Sequence, residues 1–79
     1  MDIYITRNGH DIDVHHITDE ICDDLFGYGT TVKSIYVIIV DVIPFDIVTL
    51  AHELYHVFQR EHDLPYDEND ADEFAEFYG

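Results

Sequence analysis

Five consecutive residues, His52-Glu53-Leu54-Tyr55-His56, constrain this chain more than any other stretch. On a helix, side chains four residues apart project from one face, one turn apart. Two neutral imidazoles so placed can share one zinc ion, each nitrogen about 2.0–2.1 Å from it. Glu53 lies about 100° further round the helix, beside such an ion rather than on it. From there its carboxylate can take a proton from a water molecule as a general base. The competing reading is a surface helix carrying two solvated histidines.

The flanking residues favour a helix over about 46–61. Asp46 is a candidate N-cap, with Pro44 and Phe45 outside the helix. Ile47, Leu50, Ala51, Leu54, Val57 and Phe58 recur at helical spacing and form one apolar stripe. His52 and His56 fall opposite that stripe, so one face packs while the other is free to hold a metal.

A catalytic zinc site takes three protein ligands and keeps a position open. Three downstream residues can supply the third. If a last helix spans about 66–77, Glu68, Ala71, Asp72 and Ala75 share a face, and the two alanines allow close approach to the histidines. Glu68 would then be the ligand. Asp72, one turn on, would accept the other N–H of a ligating imidazole. His62 is the second possibility, since His52, His56 and His62 have the spacing of the metzincin pattern H-E-x-x-H-x-x-G-x-x-H. That pattern has glycine where this chain has Gln59. The third possibility is Asp72 itself as the ligand, with Glu68 as an outer group.

The residues Thr49-Leu50-Ala51-His52-Glu53-Leu54-Tyr55-His56 and Glu68-Asn69-Asp70-Ala71-Asp72-Glu73-Phe74-Ala75 together resemble the gluzincins of the ImmA/IrrE group. That pattern is H-E-L-G-H followed by E-x-x-A-D/N-x-F-A. Tyr55 stands here in place of the glycine, and the interval to Glu68 is short. The resemblance covers residues 49–75. It implies a small zinc metallopeptidase with zinc on His52, His56 and Glu68, and Glu53 as the catalytic acid–base. It also suggests a DNA-binding regulator as substrate. The Glu68-to-Asp72 spacing is similar to the thermolysin-like arrangement, in which the aspartate orients the first histidine.

The remaining residues suit a single small α+β domain over 1–79, which the resemblance makes zincin-like. A three-stranded sheet is expected to pack against the H-E-x-x-H helix and the C-terminal helix. Residues 3–6 read as a strand, and Asn8-Gly9 is a two-residue hairpin signal. Residues 10–16 alternate as a second strand. Thr18 is a candidate cap for a short helix that Gly27 and Gly29 would end. Residues 31–42, β-branched and aromatic, form the strongest strand signal; their later half is apolar on both faces, as in a covered strand. Its edge is the expected rest for a substrate peptide. Tyr78, Tyr66 and Tyr55 are candidate donors to the oxyanion of a peptidase, with Tyr78 preferred.

Eighteen acids against three bases leave a formal charge of −15. With no basic patch, direct binding to nucleic-acid phosphates is disfavoured. Cys22 is the only cysteine, which excludes an internal disulfide, and it reads as a buried thiol. His10, His15 and His16 read as surface histidines. No apolar run is long enough to span a membrane and no leader pattern is present, so a cytoplasmic location is expected. The alternative function is a catalytically inactive acidic binding protein, a DNA mimic or inhibitor with a structural metal.

Overall fold

The computed structural model describes residues 3–28, 32–40 and 46–79. Among them run β1 (Ile3–Arg7), β2 (His10–Asp11), α1 (His15–Phe26), β3 (Tyr36–Ile39), α2 (Ile47–Glu61) and α3 (Glu68–Glu76). The result is a small α+β structure with a mixed three-stranded sheet in the order β2-β1-β3.

Asn8 and Gly9 take φ of 52° and 78°, the left-handed pair that a tight hairpin with native twist requires. Arg7 therefore faces His10 in the antiparallel register. β3 lies parallel to β1 on its other side, with Ile3 against Tyr36 and Ile5 against Ile38. Ile3, Ile5 and Ile38 point to the helices and are buried. Tyr4, Val37 and Ile39 point the other way and are exposed.

Four expectations change here. The strand expected over residues 10–16 is only His10–Asp11, and His15 and His16 belong to α1. Ile12 and Val14 turn inward to pack on the core, and Val14 becomes the residue before the helix. Thr18 does not cap it: its hydroxyl donates to the Val14 carbonyl at 2.8 Å, within the first turn. The strand expected over 31–42 is ordered as β3 for Tyr36–Ile39 alone, and residues 31, 41 and 42 lie outside the described ones, as do Pro44 and Phe45. Upstream of it the chain is held by α2 instead of by the sheet. The Glu61 carboxylate accepts the Lys33 backbone N–H at 2.7 Å and the Tyr36 hydroxyl at 2.6 Å. Nor is β3 covered on both faces: Val37 and Ile39 are 60% and 67% exposed.

The helices end as local chemistry dictates. Asp46 caps α2 by accepting from the Thr49 N–H at 2.9 Å. Gly27 ends α1 with φ 93°. Asp63, at φ 53°, ends α2 in a left-handed turn. Leu64 N–H then donates to the Gln59 carbonyl at 2.8 Å and Asp63 N–H to the Arg60 carbonyl at 3.3 Å, a Schellman closure. Asp67 caps α3 with bonds from the Asn69 and Asp70 N–H groups. Ala71 and Ala75 are buried, which lets α3 lie close on α2.

The core joins Ile3, Ile5 and Ile38 of the sheet to Ile21 and Cys22 of α1 and to Leu50, Ala51, Leu54 and Val57 of α2. Ile47, expected in the stripe, sits at its rim, whereas the polar Gln59 is buried. No helix among the described residues is long and apolar enough to cross a membrane.

Leu54 is wholly enclosed. Leu54→Ala should therefore cost about 2–5 kcal/mol in urea denaturation, while Ile35→Ala, at an exposed position, should change stability by less than about 0.5 kcal/mol. The bonds from Tyr36, then Lys33, hold the Glu61 carboxyl below the usual carboxylate range. A depressed folded pKa stabilises fully above the unfolded value, about 4.3. The contribution is lost as pH falls through the lower folded value. The stability gap between wild type and Glu61→Gln should accordingly close on acidification below about pH 4, read from denaturation midpoints across pH.

Candidate metal centre

α2 presents His52 and His56 on the side that meets α3. Their Nε2 atoms face each other at 3.1 Å. Glu68, in the first turn of α3, reaches both: one carboxylate oxygen lies 2.9 Å from His52 Nε2 and the other 3.1 Å from His56 Nε2. Among the described residues His52, His56 and Glu68 form a group that could hold a metal ion. Ligands about 2.0–2.2 Å from a tetrahedral ion stand about 3.3 Å from one another, close to these separations.

The imidazoles are oriented from behind. His52 Nδ1 lies 2.8 Å from an Asp72 carboxylate oxygen, and His56 Nδ1 lies 2.8 Å from Gln59 Oε1. The Gln59 amide is oriented in turn, because its Nε2 donates to the Asp67 carbonyl at 3.1 Å. Both acceptors call for a proton on Nδ1, which leaves a lone pair on each Nε2. Two lone pairs and a carboxylate then converge with no N–H proton among them. A cation is the species that satisfies such a set.

Tyr66 stacks on the His56 ring, with centroids 4.3 Å apart and planes at 10°. Its hydroxyl donates to Glu68. That hydrogen bond, before any other cause, holds the Glu68 carboxyl below its usual range. The same bond pushes the Tyr66 phenol up.

Glu53 and His56 open onto a cleft of about 560 Å³ whose other wall is β3. Val37 and Ile39 of the strand, and Leu64 and Tyr66 of the loop after α2, are among its lining residues.

The remaining candidates lie elsewhere. His62 caps the end of α2, and its ring packs against Phe58 and Phe26, with centroids 4.6 and 6.0 Å away. Its third-ligand alternative fails because α2 continues through Gln59 without the glycine exit that pattern needs. Asp72 touches the far nitrogen of His52, so it supports a ligand instead of closing the triad. Tyr78, the preferred oxyanion donor, gives its hydroxyl to Asp24 of α1. Tyr55 packs between Phe58 and Phe74. Cys22 is buried; desolvation first, then Asp19 and Asp23, push its thiol up to about 12, which leaves it inert. His16 approaches Glu20 at 3.6 Å on an exposed face of α1.

Gln59 was not legible as part of the centre. Its only sequence signal is its place three residues after His56, one turn along the same face. No protein-family model, no curated protein and no solved structure matches the chain.

Zn²⁺ or Co²⁺ binding, followed by calorimetry, should vanish in His52→Ala. It should weaken about 10–100-fold in Gln59→Leu and in Asp72→Ala, and stay unchanged in His62→Ala.

Proposed function

We infer that the protein is a minimal zinc-dependent metallopeptidase of the H-E-x-x-H type, a zincin-like domain related to the ImmA/IrrE gluzincins. The observation that carries this reading is the convergence of His52, His56 and Glu68, with His56 also lining the cleft onto which Glu53 opens. His52, His56 and Glu68 would hold the ion. Two imidazoles and one carboxylate are a donor set that zinc favours, and that catalytic zinc sites use.

Zinc held there supplies Lewis acidity toward a carbonyl oxygen and a water molecule. The chain's own residues do the rest. Glu53, one position from His52 and on the cleft side, takes the proton of the attacking water and returns it to the departing amine. Asp72 and Gln59 keep the imidazoles turned inward. Tyr66 replaces Tyr78 as the donor to the oxyanion, because it alone of the three tyrosines hydrogen-bonds a member of the triad. The outer edge of β3, unpaired among the described residues, forms the opposite wall of the cleft, where an extended peptide can add as a strand. The substrate on this reading is a protein, with a DNA-binding regulator in the cytoplasm as the class the sequence resemblance suggests.

The formal charge of −15 favours a second reading. An acidic surface can occupy a basic, DNA-binding partner as a mimic of DNA, with the metal as a structural clip.

One variant separates the two. Glu53→Gln should bind zinc as tightly as wild type and lose at least about a hundredfold in peptide hydrolysis, the usual share of a general base. A salt-sensitive complex with a DNA-binding protein that survives Glu53→Gln, in a wild type that hydrolyses nothing, would favour the mimic.

A further inference from the structure

The cleft beside the centre carries a cation, Arg60, that has no partner among the described residues. Arg60 lines it together with Glu53 and His56. In a chain with 18 acids and three bases, an unpaired guanidinium is not the expected state. Yet Arg60 makes no side-chain ion pair or hydrogen bond with another described residue. The reason is next to it. Glu61, its neighbour, has one oxygen on the Lys33 N–H and the other on the Tyr36 hydroxyl. The acids of α3 are turned to the histidines or to solvent.

The positions of Glu53, Val57 and Arg60 are four and three residues apart, so they line one stripe of α2. Arg60 stands seven residues beyond Glu53, about 10.5 Å along the axis. An extended peptide rises about 3.3 Å per residue, so three residues cover that distance. Between the two ends the wall is aliphatic: Val37, Ile39 and Leu64 are 60%, 67% and 46% exposed. The net charge of the chain does not forbid an anion there, because fields from exposed charges beyond about 8 Å are screened at physiological salt.

We propose that this cleft selects a peptide with an aliphatic side chain near the metal centre and a carboxylate about three residues away, held by Arg60. Its placement along α2 rests on the peptidase reading above. The carboxylate has two sources, a free C-terminus or an Asp or Glu side chain, and both present the same planar pair of oxygens to a guanidinium. The plain alternative is that Arg60 serves only the C-terminal end of α2, where a cation is favourable. A role limited to the helix would affect all peptides alike.

The test is binding, which does not need turnover. Zinc-loaded Glu53→Gln protein is titrated at 0.15 M salt into fluorescent alanine-based hexapeptides with one leucine, read by anisotropy. One peptide ends in a free carboxylate. A second is amidated, with glutamate three residues from the leucine. A third is amidated, with glutamine there. One or both of the first two should bind about tenfold tighter than the third, and which one does names the source. Arg60→Gln in the same background should erase that preference and Arg60→Lys should keep part of it, whereas Lys33→Gln should leave it intact. Leucine→serine in the peptide should weaken binding in every protein. Equal binding of all three peptides, or a preference that survives Arg60→Gln, overturns the proposal. Wild-type cleavage of all three peptides at one rate would overturn it too, and leave the peptidase reading standing. Carboxylate preference in a wild type that cleaves none supports the recognition and removes the hydrolysis.

Discussion

Gln59 holds the chain reversal between α2 and α3, and the centre exists only because of that reversal. Its backbone carbonyl accepts the Leu64 N–H, which closes the end of α2. Its side-chain N–H₂ donates to the Asp67 carbonyl, which pins the residue that caps α3. Its side-chain oxygen accepts from His56. One buried side chain thus couples the path of the backbone to the orientation of an imidazole. Buried amides are costly unless every donor and acceptor is engaged, and here the ring and the loop engage both ends.

The reversal solves a problem of reach. A helix rises about 1.5 Å per residue, so a chain running straight on from His56 would carry an acid twelve residues away far from the imidazoles. Asp63 in the left-handed region turns the chain within a few residues, and Ala71 and Ala75 let α3 lie flat on α2. Glu68 then returns to the level of His52 and His56, and Asp72 to the outer nitrogen of His52.

Charge and size act on the same centre. A chain of 79 residues buries a modest core, and 18 acids repel one another within it. α3 carries acids in its first turn, where the helix dipole favours them, and it aims two of its carboxylates at neutral imidazoles. A divalent cation between α2 and α3 would bind the two helices together and offset part of that repulsion. On the far side of α2 the Glu61 carboxylate ties the segment before β3 to the helix end, which sets the second wall of the cleft.

Much of this was legible before any coordinates. The residues of α2, from the Asp46 cap to Glu61, follow from capping chemistry and a 3.6-residue apolar period. The Asn8-Gly9 hairpin follows from the one backbone shape those residues favour. His52, His56, Glu68 and Asp72 were nameable from spacing, because spacing on a helix is geometry. What alternation could not settle was pairing: residues 10–16 alternate like a strand, yet Ile12 and Val14 pack on the core and the chain turns into α1. Nor could composition show that β3 lies at the sheet edge, with Val37 and Ile39 uncovered. The sequence by itself determined which helix presents two imidazoles and which acids could meet them. Only the tertiary structure decided that Glu68 arrives while His62 and Tyr78 are held elsewhere, since arrival depends on a turn at Asp63 and a buried Gln59 whose partners lie across the fold.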